Sequence, residues 1–225
     1  MKHLLHPAVI KLSLLVVFAG VSLFQTGCVV GRRTVDLPLP EVAVSGAAPT
    51  AQVGLVSVED QRVFVDKPES PSTPSIDGKV ATLTPEQQAR MIGRQRNGYG
   101  MAVGDVALPE GITVQQKVED LAARAFAEVG YELVDGSGPQ TTLEIDVKKF
   151  WGWFTPGFVA VKFEAEIEVD LVLTSAGRTQ TIPVRGYGIN KAQIASDANW
   201  QLAYRRAFED LTKNMVEALE SANAF

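Results

Sequence analysis

The 225-residue chain has little of the chemistry that most enzymes use: one cysteine, Cys28, and two histidines, His3 and His6. One cysteine permits no intramolecular disulfide, so the fold must rest on its core. From Cys28 onward there is no histidine, which excludes Ser-His-Asp triads, Cys-His nucleophiles and histidine zinc sites from that part of the chain. Positive charge is also short. Lys2 and Lys11 precede Cys28 and no acid does, which leaves 19 bases against 26 acids beyond that point, a net charge of −7. That balance opposes general nucleic-acid binding, which needs a basic footprint, and adhesion to anionic lipid. After Phe24 no apolar run approaches the roughly 20 residues of a membrane span.

What is present begins with the cysteine's setting. A lone cysteine can be a nucleophile, half of an intermolecular disulfide, a buried filler or a lipid attachment site. Met1 to Lys11 carries two lysines and no acid, Leu12 to Phe24 is almost purely apolar, and small and polar residues follow. This is the pattern of a secretory signal, here over residues 1–27. The phrase Gln25-Thr26-Gly27-Cys28 resembles the lipobox of bacterial lipoprotein precursors: Thr26 and Gly27 fit, and Gln25 departs from the usual leucine. The resemblance implies acylation of Cys28, membrane anchoring through its acyl chains, and, with Val29 rather than aspartate next, the periplasmic face of the outer membrane.

Residues 28–50 are rich in Pro, Ala and Gly without helical period and read as a flexible lipidated tether. Residues 51–225 fit a single domain. Ala51 to Asp60 is a Val-rich strand, and a Pro-rich loop insertion near 66–82 reads as mobile surface. A short helix starts at Thr84 with Gln87 closing a capping box, and "RNGYGMAVGD" suggests a turn or hairpin. Thr113 and Gln116 open a longer helix whose stripe is Val114, Val118, Leu121, Ala125, Phe126 and Val129, stopped at Gly130. Strands follow, with strict alternation through Leu143–Val147 and Phe163–Leu171, and Pro183 sends the last toward a sheet edge. A final helix aligns Trp200, Tyr204, Phe208, Leu211, Met215 and Leu219. The expected architecture is an α+β two-layer sandwich: a mixed, mostly antiparallel sheet of about four to five strands with two amphipathic helices on one face.

This order resembles the YajG-like periplasmic lipoproteins. The matching phrases are "VEDQR" after the first strand, "IG" and "RNGYGM" in the insertion, and "LAARAFAEVGYELV" across the first long helix. The resemblance covers most of the chain beyond the signal and implies fold and location, not an activity.

Two stretches invite a functional reading. Trp151, Trp153, Phe154 and Phe158 surround Gly152 and Pro156; they either pack over the core's edge or form a contact surface for a protein groove, a sugar or lipid headgroups. On a strand Trp151 and Trp153 share one face with Lys149, and Phe150 and Phe154 the other. At least one of the two tryptophans is therefore expected to be exposed. Asn97 and Tyr99 in the hairpin phrase are further partner-binding candidates, and Asp60 with Arg62 can pin the insertion to the sheet by an ion pair. Glu164, Glu166, Glu168 and Asp170 read as a solvated strand face rather than a catalytic pair or a calcium site. No catalytic residue, cofactor or metal is expected. Three functions compete: a non-catalytic envelope module binding a protein or peptidoglycan partner, a carboxylate-dependent glycan hydrolase, and a structural subunit of an envelope complex.

Overall fold

The computed structural model describes residues 32–41, 49–97, 101–155, 157, 160–194 and 196–222. Its elements are β1 (Arg33–Thr34), β2 (Ala51–Asp60), α1 (Pro85–Gln88), β3 (Met91–Arg96), β4 (Ala102–Ala107), α2 (Val114–Glu128), β5 (Tyr131–Asp135), β6 (Thr141–Thr155), β7 (Val161–Ser175), β8 (Arg178–Ala192) and α3 (Asp197–Ser221). Both expected capping boxes are formed, Thr84 with Gln87 and Thr113 with Gln116. Gly130, at φ 86°, supplies the left-handed turn after α2.

All eight strands join one mixed sheet, which corrects the expected four to five. The sheet is organised around β6. Its full length pairs antiparallel with β7, and β7 with β8. Its other edge is shared: β2 pairs parallel with Thr142–Val147, and β3 with Gly152–Trp153. β5 extends the sheet beyond β2, while β4 and β1 extend it beyond β3. The extra strands were hard to see for physical reasons. β3 and β4 carry register shifts that break the period of two. β1 lies where a tether was expected, and the tether reading fails for residues 33–40. Arg33 and Thr34 pair with Val106 and Ala107, and Val35 and Leu37 are buried. Gln201 Nε2 donates to Asp36 O, Arg124 donates to Pro40 O, and Arg33 pairs with Asp197.

Helices α2 and α3 cover one face of the sheet, and the whole predicted α3 stripe from Trp200 to Leu219 is buried. Small residues let α3 come close. A Cβ on Gly188 would stand 2.0 Å from Ala203 O, and one on Gly186 2.4 Å from Ala207 O. This proximity also closes the sheet's edge at β8. Asn214 Nδ2 donates to Arg185 O, Asp210 accepts the Tyr187 N–H, and Arg206 donates to Ile189 O. Backbone groups that would otherwise offer a template for another strand are thereby occupied.

β6 changes face once. Its ladder to β7 skips Lys148 between Val147 and Lys149, a bulge. Leu143, Ile145 and Val147 point to the helices before it, and Phe150 and Phe154 after it. Lys149, Trp151 and Trp153 are thus delivered to the opposite face, where a second apolar cluster forms with Phe64, Ile76, Met91 and Ala107.

Candidate functional site

Neither tryptophan is exposed: Trp151 is 0% and Trp153 7% accessible, which overturns the expected aromatic contact surface at these two residues. Lys149, Trp151 and Trp153 do share one face, and that face is covered. The Pro-rich stretch folds over the second face instead of standing in solvent. Pro71 O accepts the Trp151 Nε1–H at 3.1 Å, and the Phe64 ring meets Trp151 edge-on at 5.9 Å. Ile76, Val80 and Leu83 complete the cover. Phe154 belongs to the main core, edge-on to Phe163. Asn97 closes the β3–β4 turn, its N–H donating to Met101 O and its Oδ1 accepting the Met101 N–H. Cys28, Tyr99 and Phe158 lie outside the described residues.

The expected Asp60–Arg62 pair is present and occupies a structural junction. Where β2 and β3 part along β6, the Arg62 guanidinium fills the gap. It meets Asp60 at 2.7 Å through Nε and Nη2 and donates to the carbonyls of Met91, Phe150 and Gln88. Its side chain is fully buried, and every bond is charge-assisted. The pair thus braces β2 against α1, β3 and β6, and the expected pinning of residues 66–82 falls instead to other bonds, such as Trp151 Nε1–H to Pro71 O.

The acidic row on β7 is more engaged than a solvated face. Glu164 accepts from Trp153 Nε1, Thr155 Oγ1 and Tyr187 OH. Burial, and then this bond to Glu164, pushes the Tyr187 phenol well above its ordinary range. Glu166 is buried between Lys149, at 2.6 Å, and Arg185. Its burial alone would raise the carboxyl, but the Lys149 bond and both cations outweigh that and hold it below the usual range. Glu168 is raised, by burial first and then by the Glu166 charge beside it. Asp170 pairs with Lys148. Among the described residues no three acidic side chains converge as metal ligands.

A basic cavity lies beside the second cluster. Lys67, Pro68, Ser75, Ile76, Asp77 and Gly78 of the Pro-rich stretch face Arg94, Arg96 and Ala102 across a cavity of about 270 Å³. Arg94 Nη2 meets Asp77 at 3.2 Å, and its Nε lies 3.9 Å from Asp105. That Nε is buried and has no hydrogen-bond acceptor among the described residues. Asp105 accepts the Asp77 N–H at 2.8 Å, but burial raises its carboxyl overall, against the opposing pull of that bond, of Arg94 and of Arg32. Burial, then the neighbouring Arg94 charge, lowers Arg96. The signal was legible: in "GRQR" two arginines stand two apart on a strand, the spacing that places side chains on one face.

No family model and no curated protein matches the chain. Similar solved structures include a Xanthomonas campestris protein described as DUF330, 15% identical, with TM-score 0.46, covering 85% of this chain and 96% of that one. An uncharacterized protein is 14% identical with TM-score 0.33, covering 86% and 94%. A hypothetical protein of Chlamydia trachomatis is 9% identical with TM-score 0.39, covering 75% and 99%.

Proposed function

We propose that this chain is a YajG-like, lipid-anchored protein of the outer membrane's periplasmic face, a non-catalytic module that binds an envelope partner or cell-wall component. The observation that carries the reading is the passage from a basic start through the apolar run Leu12–Phe24 to Thr26-Gly27-Cys28. Two acyl chains or more hold a protein stably on a bilayer. The non-catalytic part draws on the state of the acidic row: Glu164, Glu166 and Asp170 are each held by donors or cations, on the face of a sheet rather than in a cleft.

The test is metabolic labelling with a radioactive fatty acid and fractionation of cells carrying the parent or Cys28→Ser. The parent is expected to take up label and sediment with membranes, and the variant to do neither. Equal membrane retention without label in the parent would remove the anchor. Release of soluble glycan from purified cell-wall sacculi, abolished by Glu164→Gln, would instead support the hydrolase.

A further inference from the structure

We propose that the basic cavity between the β3–β4 hairpin and the Pro-rich stretch binds the phosphate of a phospholipid headgroup, in the leaflet that carries the Cys28 anchor. This rests on the anchor proposed above.

Charge is the first argument. Lys67, Arg94 and Arg96 line the cavity, and Arg32 is near enough to act on Asp105. They face the carboxylates Asp77 and Asp105, with Asp66, which accepts the Val80 N–H, close by. Four cations against three acids leave an excess of one positive charge on a chain that is otherwise acidic. Arginine forks and a lysine ammonium are the groups that suit phosphate oxygens. Asp77, whose side chain is 71% exposed, holds Arg94 from the solvent side, where an arriving phosphate would displace it. The cavity, about 270 Å³, admits a tetrahedral oxyanion with several waters of about 30 Å³ each.

Position is the second argument. β1 runs parallel to β4, with Arg33 opposite Val106, so the chain enters β1 from the hairpin end. Val29, Val30 and Gly31 alone separate Cys28 from Arg32. Four extended steps reach at most about 14 Å. A lipid on Cys28, only four residues before Arg32 in sequence, would keep this domain, with its cavity, within reach of the headgroup layer. Met101, 59% exposed at the hairpin, adds an apolar contact there. Net charge repels an anionic surface as a whole, but such repulsion is screened beyond about 8 Å at physiological salt, whereas the cavity acts at contact.

The test uses the full acylated chain, reconstituted in vesicles of phosphatidylethanolamine and phosphatidylglycerol, in vesicles of the phosphate-free digalactosyl diacylglycerol, and in non-ionic detergent with inorganic phosphate. Amide exchange of residues 66–78 and 91–107 is read. Phospholipid should slow exchange about tenfold, the protection given by a ligand at ten times its dissociation constant. Glycolipid should not, Lys67→Gln and Arg96→Gln should each erase most of the effect, and Asp77→Asn should increase it. Co-sedimentation with phospholipid vesicles without protection overturns the headgroup site and leaves the anchor standing. Equal protection in glycolipid overturns the role of phosphate. Full protection by inorganic phosphate in detergent overturns the membrane source in favour of a soluble ligand. A chain recovered without acyl groups overturns the anchor and this inference together.

Discussion

Replacing Arg62 with Met keeps an unbranched apolar stem and removes the charged guanidinium with its five N–H donors. In the folded protein that fork satisfies the carbonyls of Met91, Phe150 and Gln88 and neutralises Asp60, whose side chain is only 6% exposed. A buried acceptor left without a donor costs about 1–3 kcal/mol, and two, the carbonyls of Met91 and Phe150, are stranded here. Loss of one partner from a buried ion pair typically costs about 3–5 kcal/mol. These are overlapping descriptions of one site and do not add, so the expected loss is about 4 kcal/mol, a large share of a domain's usual 5–15 kcal/mol. Urea titration followed by tryptophan fluorescence measures it, because Trp151 and Trp153 lie in the cluster that the junction supports. Removing the stranded acid as well, in the Asp60→Leu/Arg62→Met pair, should recover part of the loss. A single-variant loss below about 1 kcal/mol, the scale of a surface pair, would refute the reading of Arg62 as the brace between β2 and β3.

Trp151→Ala should cost about 3–5 kcal/mol in the same titration, because the indole is fully buried; a loss within about 0.5 kcal/mol would mean that the Pro-rich cover is open in solution. Gly188→Ala should destabilise by about 1–3 kcal/mol, since its Cβ meets helix backbone that can yield only if α3 lifts from β8; an unchanged melting temperature would contradict that packing. Glu166, held below its ordinary value of 4.5, contributes stability above that pH and loses it as pH falls through the lower folded-state value. The stability difference between the parent and Glu166→Gln should accordingly be largest near neutrality and shrink with acid, and a difference that grew on acidification would reverse the assignment.

Periodicity made the helix-facing half of the molecule legible. The α3 stripe, the α2 stripe and the alternation in β6 and β7 each have one buried face against one core, and each pattern is local in sequence. The second face was not legible, because its cover comes from residues that carry no period. Pro71 contributes a carbonyl and Ile76 a single side chain, and nothing around them marks them as packed. The strand within residues 28–50 is hidden for a different reason. Val35 and Leu37 do alternate with Asp36 and Pro38, but a two-residue strand followed by prolines is too short a signal to outweigh the composition. Gly186 and Gly188, flanking Tyr187, carry no period or motif that marks their role, which is to let α3 lie against β8. The basic cavity joins residues 67–78 to residues 94–102, so it needed the tertiary fold, although the Arg94–Arg96 spacing was in view.

The central claim is that Cys28 becomes the acylated first residue of a membrane-held protein. Mass spectrometry of the N-terminal peptide, from chain extracted from envelope membranes, tests it most directly. The account predicts a peptide that begins at Cys28, lacks residues 1–27 and carries a diacylglyceryl group on sulfur with a further acyl chain on the α-amine. A peptide that begins elsewhere, or Cys28 recovered as a free thiol within an uncleaved chain, would contradict it.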